Sequence, residues 1–242
     1  MIDWTLDGVV ARITLNRAAR RNAVPMGEWR ELSDAAAQIA ASDARVVILA
    51  SAVPGIFSAG ADLSELETLR ADPTARPMFR EAMRTGIESI AALPMPVIVA
   101  VDGGCYGAAV ALALAGDFRI AGAGASFATT PAKLGIGYPG EDVARLIERV
   151  GQGQAARMLL AADPIDAVEA HRIGLAEFLA PDAGIAASTL AARIAALAPG
   201  AVQLLKRTLA DPHAAGVAPA FDAAFAGAEF AERLAVFQER KR

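Results

Sequence analysis

Two glycine- and alanine-rich turns hold the residues best suited to chemistry. The first is Phe57-Ser58-Ala59-Gly60-Ala61-Asp62-Leu63 and the second is Asp102-Gly103-Gly104-Cys105-Tyr106-Gly107-Ala108-Ala109. Each follows a short apolar run and is built from residues with little or no side chain, so a ligand can approach the main chain closely. The free N–H groups at a helix start also carry partial positive charge. Two such turns aimed at one point would bind an oxyanion, and one donor of that kind is worth roughly a hundred- to thousand-fold in rate. Taken singly, either turn could serve only close packing in an α/β sheet.

Other reactive side chains are few. Glu141 and Asp142 stand together at an expected helix start, where carboxylates cap the helix and complement its dipole. Tyr138 lies just before them and reads, on residue type alone, as a packing tyrosine. His171 and His213 are the only histidines; neither has a Ser/Asp partner arrangement or metal-ligand spacing, so both read as structural. Cys105 is the single cysteine. It excludes an intrachain disulfide and reads as a small buried residue. Lys206 and Arg207 fall on a late helix, where charges are usually solvated.

The elements that must position these turns follow from periodicity. Asp7-Gly8 reads as a tight hairpin turn, followed by a half-buried strand in which Val9, Ala11, Ile13 and Leu15 alternate with Val10, Arg12 and Thr14. Trp29, Leu32, Ala36 and Ile39 recur at helical spacing. Val46 to Ala50 and Pro96 to Val101 read as strands buried on both faces of a sheet. Leu63, Leu66 and Leu69 start a second helix, and Gly107 to Ala115 forms a small-residue helix. Phe118 to Ala121 and Ser126 to Ala128 read as further strands. From Glu141 onward nearly everything reads as helical, with breaks at Gly151, Pro164, Gly174, Pro181, Pro199 and Pro212. The implied fold class is α/β: a βαβ core over residues 1–190, then a C-terminal helical region over 191–242.

The chain has 242 residues, 55% of them apolar, and a formal net charge of −4. With few aromatics and no basic run longer than Arg240-Lys241-Arg242, nucleic acid is not an expected partner. Apolar stretches break before membrane-spanning length, and Met1-Ile2-Asp3-Trp4 begins no leader pattern. A cytoplasmic protein is expected, with excess apolar surface buried in an oligomer. No metal, nicotinamide or flavin signature is present.

Asn16-Arg17-Ala18-Ala19-Arg20-Arg21-Asn22-Ala23-Val24 resembles the N-terminal signature of the enoyl-CoA hydratase/isomerase (crotonase) superfamily, and Phe57 to Leu63 is similar to that family's first oxyanion turn. Pro96 to Ala121 resembles its second block, ending in Asp-Phe-Arg-Ile-Ala. Leu134-Gly135, Ile165-Asp166-Ala167 and Ile173-Gly174-Leu175 fall at later family positions. Pro199 to Leu209 and Glu229 to Lys241, with Phe237, resemble its late helices. The resemblance covers essentially the whole chain. It implies a crotonase-like ββα spiral core with a C-terminal helical oligomerisation region, and a trimer or a pair of trimers. It implies oxyanion donors at the N–H groups of Ala61 and Ala108; Ala can replace the usual second Gly where its φ is negative. Coenzyme A is expected beside Ala23, Ala59, Ala61, Asp62 and Leu63, with no cofactor beyond the coenzyme A moiety of the substrate. Lys206 and Arg207 fall where the family often places a cation near a CoA phosphate. The acyl pocket is expected from Glu65 to Arg84 and from the C-terminal helices.

The sequence departs from the family at the two glutamates that activate water. Ala111 and Pro131 stand at those positions, and loss of a general base typically costs about a hundred- to ten-thousand-fold. Ala128 to Tyr138 instead resembles the methylmalonyl-CoA decarboxylase-like branch, which has a tyrosine at the position of Tyr138; its hydroxyl can hydrogen-bond a substrate carboxylate or the proton donor to the enolate carbon. Three readings follow: decarboxylase-like enolate chemistry with Tyr138; hydratase or isomerase chemistry with Glu141 or Asp142 as the acid/base, since other members draw an acid from this loop; and a non-catalytic acyl-CoA-binding member.

Overall fold

A computed structural model describes residues 2–239. The basic run Arg240-Lys241-Arg242, and with it the end of the helix expected to reach Lys241, lie outside the described residues. The chain opens on a hairpin: β1 (Ile2–Asp7) pairs antiparallel with β2 (Val10–Leu15), with Asp7 opposite Val10. Gly8 makes the turn at φ +57°, a left-handed conformation that costs glycine little. The alternation along β2 buries Ala11, Ile13 and Leu15.

β2 leads into a six-stranded sheet. β3 (Val46–Ser51), β5 (Val97–Val101), β7 (Phe118–Gly122) and β10 (Phe178–Ala180) join it in the order β1-β2-β3-β5-β7-β10, all parallel after the hairpin. The apolar runs of β3 and β5 supply both faces. Val47, Leu49, Val97 and Val99 face a core shared with Trp29, Leu32 and Ile39 of α1 (Met26–Ala40) and Ile87 and Ile90 of α3 (Ala75–Ala91). Val46, Ile48, Ile98 and Ala100 face Ala183, Ala187 and Ala191 of α7 (Ala183–Ala195). Arg119, fully buried on β7, ties the sheet's last strands together: its guanidinium donates to the Gly116 and Leu175 carbonyls (2.7 and 2.9 Å) and pairs with Glu177.

Three strands of this sheet are each followed at once by a short strand in a second sheet. β4 (Ile56–Ser58), β6 (Gly104–Tyr106) and β8 (Ser126–Ala128) are mutually parallel, and β9 (Ile165–Asp166) adds antiparallel to β8. A helix then returns the chain to the large sheet: α2 (Leu66–Ala71) and α3 after β4, α4 (Ala108–Leu114) after β6, and α5 (Gly140–Ala156) after β8. This repeated strand–strand–helix path is the ββα spiral.

Gly151 interrupts α5 at φ 74° and ψ 159°, a break at the position where the sequence places one. Two features differ in detail from the sequence reading. The helix expected from Leu63 begins as a 3-10 turn over Leu63–Glu65 before α2. The region after Glu141 also contains β9 and β10, of two and three residues. Strands that short leave no alternation to read. Moreover Asp166 belongs at once to β9 and to the cap of α6 (Ala167–Arg172), accepting from the Glu169 N–H at 2.8 Å. Residue 190 falls inside α7, so the helices that leave the sheet are α8 (Pro199–Ala210), α9 (Val217–Ala224) and α10 (Ala228–Glu239), none of which holds a buried residue. Phe221, Phe225 and Phe230 meet edge to face along this arm, with ring centroids 5.2 and 5.3 Å apart. Among the described residues no single helix is long and apolar enough to cross a membrane.

Candidate active site

The first turn leaves β4 and is fixed by the segment before α1. Asn22 sits at φ 54°, and its side-chain amide donates to the Phe57 carbonyl (2.9 Å) and to Ser51 Oγ (2.7 Å). The Ser58 hydroxyl donates to the Asn22 carbonyl at 2.6 Å and accepts from the Gly60 N–H at 3.0 Å. Ala59 N–H donates to Arg21, Val24 N–H to Gly60, and Asp62 N–H to Val24, at 2.9, 2.7 and 3.1 Å. These bonds hold Ala61 on both sides, while its own N–H has no partner among the described residues. Arg17 donates to the Ala23 carbonyl (2.9 Å) and Asp62 Oδ2 (2.6 Å). Asp62 also caps the 3-10 turn through Ser64 N–H at 3.0 Å. The Ser64 hydroxyl and N–H, aided by Arg17, hold its carboxyl down to about 2. Arg17, Arg21, Asn22 and Ala23 therefore act as a scaffold for the turn.

The second turn is shaped by Gly103, Gly107 and Ala108. A Cβ on Gly103 would collide with the Gly55 backbone. Gly107, at φ +54°, donates its N–H to the Ala128 carbonyl at 2.9 Å and turns the chain into α4. Ala108 is the first residue of that helix; its φ is not positive, and its N–H has no partner among the described residues. The two turns touch: a Cβ on Gly60 would run into the Tyr106 carbonyl and stand 2.8 Å from the Ala108 nitrogen.

Both turns open on a cavity of about 730 Å³. Of the residues singled out from the sequence, Ala59, Ala61, Leu63, Ala108, Tyr138 and Glu141 line it. Ala23 and Asp62 are buried behind the first turn and do not. Ala111 is fully buried within α4, whereas Pro131 stands in the cavity wall. Glu141 is the one carboxylate in the described lining. Its neighbour Asp142 is turned inward, 3.4 Å from Arg145, which also holds Glu88 at 2.6 Å. Burial pushes the Asp142 carboxyl up to about 6 against the pull of Arg145, with Glu141 and Glu88 adding to the rise. The Tyr138 hydroxyl donates to the Gly107 carbonyl at 2.9 Å; burial, with Asp142 adding, pushes it well above the usual tyrosine range.

Leu66, Phe79, Arg80 and Met83 come from the expected stretch Glu65 to Arg84, whereas α8–α10 supply no described lining residue. Lys133 also lines the cavity and was missed: within Pro131 to Gly135 only spacing was legible. Lys206 is bound rather than solvated. It donates to Asp117 Oδ2 at 2.7 Å and to the Met95 carbonyl at 3.0 Å. Arg207 lines a separate cleft of about 770 Å³ among α8, α9 and α10. His171 Nδ1 lies 3.1 Å from the Ala176 carbonyl, a local structural bond. Cys105 is fully buried, and burial pushes its thiol far up.

Residues 5–224 match the family model described as Enoyl-CoA hydratase/isomerase. The chain is 35% identical over 169 residues to the mitochondrial methylglutaconyl-CoA hydratase of Mus musculus, covering 69% of this chain and 53% of that protein. It thus spans about half the length of that relative. In structure it is similar to an enoyl-CoA hydratase/carnithine racemase from Magnetospirillum magneticum (TM-score 0.94, 30% identity, 99% of this chain and 92% of the other). It is also similar to an enoyl-CoA hydratase from Bacillus anthracis (TM-score 0.91, 31% identity, 99% and 96% covered).

Proposed function

Because the chain belongs to the enoyl-CoA hydratase/isomerase family, we propose that it acts on an acyl-CoA thioester whose carbonyl oxygen sits between the N–H groups of Ala61 and Ala108. The carrying observation is that these two N–H groups lack partners among the described residues and open on one cavity from turns in direct contact. As a proton leaves the carbon next to the carbonyl, or as water adds to the conjugated β-carbon, charge moves onto the oxygen as an enolate, and fixed donors stabilise that charge more than they stabilise the neutral substrate. Coenzyme A runs along the first turn, by Ala59, Ala61 and Leu63, with Ala23 and Asp62 holding that turn from behind; no further cofactor is required.

Glu141 is the acid/base in this reading, as the only carboxylate in the described lining. For isomerisation it takes a proton from C2 of a 3-enoyl thioester and returns it at C4; for hydration it takes a proton from water as the water oxygen bonds to C3 of a 2-enoyl thioester, and returns it at C2. Decarboxylation through Tyr138 uses the same oxyanion donors. The acid–base reading is favoured because the Tyr138 hydroxyl hydrogen, which would steer a substrate carboxylate, is committed to Gly107. The terminal arm, with Phe221, Phe225 and Phe230 exposed, is proposed as the contact of a trimer or a pair of trimers.

The test is a turnover panel of crotonyl-, 3-enoyl- and methylmalonyl-CoA with Glu141→Gln alongside. Glu141→Gln is expected to lose about 10²- to 10⁴-fold in kcat. Turnover of methylmalonyl-CoA alone, undiminished in Glu141→Gln, would favour decarboxylation. Tight CoA binding with no turnover of any thioester would leave a binding protein.

A further inference from the structure

Two exposed cations stand in the wall of the cavity that Glu141 also lines, and neither forms a salt bridge among the described residues, although Glu81 feels the charge of one of them, Arg80. Arg80 lies on α3, and Lys133 on the 3-10 helix Pro131–Leu134. Neither side chain has an ion pair or hydrogen bond among the described residues. The other arginines of α3 are engaged: Arg84 forks onto Glu81 with both bonds at 3.1 Å, and Arg76 donates to the Leu69 and Arg70 carbonyls at 2.7 and 2.9 Å. Glu81, next to Arg80 in the chain, accepts from Arg84 at both oxygens and makes no hydrogen bond to Arg80, although the Arg80 charge helps to hold its carboxyl low. Phe79, Met83, Leu134 and Ile136 make the same wall largely apolar, with Glu141 as its one carboxylate among the described residues.

An unpaired guanidinium and ammonium facing a mostly apolar cleft favour a ligand that brings a negative charge to them, and the planar guanidinium fork matches a carboxylate in particular. We infer that the acyl group ends in a carboxylate held by Arg80 and Lys133, so that the preferred substrates are CoA monoesters of dicarboxylic acids. This rests on the acyl-CoA reading above. The first turn, where coenzyme A is placed in that reading, contributes no cation to the cavity; both cations stand on other elements.

The test compares crotonyl-CoA with glutaconyl-CoA, which share the thioester, the double bond and coenzyme A and differ by a terminal carboxylate. Wild type should have the higher kcat/KM on glutaconyl-CoA. Arg80→Met should lower that preference about tenfold, and Arg80→Met with Lys133→Met further, with a smaller loss on crotonyl-CoA. An equal loss on both substrates would assign the cations to the phosphates of coenzyme A and overturn the inference, as would a wild-type preference for crotonyl-CoA. Absence of turnover on both would count against the enzymatic reading; the inference then stands or falls on binding, with glutaryl-CoA bound more tightly than butyryl-CoA expected and equal affinity overturning it.

Discussion

The Tyr138 hydroxyl donates to the carbonyl of Gly107 at 2.9 Å, and Gly107 immediately precedes the proposed donor Ala108. One side chain from the loop before α5 therefore braces the backbone of the second turn. Tyr138→Phe removes that brace without opening a cavity. The expected result is a loss of about 1 kcal/mol in stability and of less than about tenfold in kcat, read by denaturant unfolding and steady-state kinetics. A thousand-fold loss of kcat at unchanged stability would move Tyr138 from a positioning role to direct contact with the substrate.

Gly60→Ala should be far more damaging. The added methyl would meet the Tyr106 carbonyl and stand 2.8 Å from the Ala108 nitrogen, at a residue whose φ of +87° disfavours any side chain. Separation of the two turns is expected to cost about 10²-fold or more in kcat and about 1–3 kcal/mol in stability. Gly124→Ala is the control, because a Cβ there meets nothing within 4 Å and its φ lies outside the left-handed region; it should leave both quantities unchanged.

Much of this was legible from residue types. The runs Val46 to Ala50 and Val97 to Val101 announce strands buried on both faces, because no polar side chain interrupts them. The Gly/Ala turns announce close backbone approach because most of their residues carry little or no side chain. The cavity wall was less legible. Arg80 and Lys133 are single cations amid ordinary helical and loop sequence, and their role depends on which face α3 and the Pro131–Leu134 turn present. Lys206 shows the converse: a lysine on a late helix reads as solvated until Asp117, 89 positions earlier, is found beside it.

That contact gives a stability prediction. Lys206 Nζ bridges Asp117 Oδ2 and the Met95 carbonyl, while the same Asp117 oxygen accepts the Val97 N–H at 2.7 Å. Lys206→Met should cost about 1–3 kcal/mol and should speed amide hydrogen exchange in α8 ahead of the sheet. Unchanged exchange in α8 would mean that the arm is held by other contacts.

Asp142 predicts a pH dependence. Its carboxyl titrates at about 6 in the folded chain against 3.8 for the unperturbed group. The native state therefore binds this proton more tightly than the unfolded chain. The associated stability is fully present below the unfolded value and is lost as pH rises through 6. Asp142→Asn should stabilise the protein by about 1–3 kcal/mol at pH 7.5 and by much less at pH 4.5. Chemical denaturation at the two pH values checks it; a shift of equal size at both would show that Asp142 stays ionised throughout.

The order of strands in the large sheet has a consequence for biosynthesis. β2, β3, β5 and β7 lie side by side in the order in which they are translated, so each new strand can dock on the free edge left by the one before. Ala61 and Ala108 belong to successive circuits of that path, and the carbonyl that receives the Gly107 N–H is that of Ala128. The pair of N–H groups can thus be assembled on the nascent chain once β8 has emerged, before β10 completes the edge and before α8–α10 have been made. A ribosome-bound chain ending soon after β8 would already hold the oldest part of the site, and the terminal arm would be added to a finished centre.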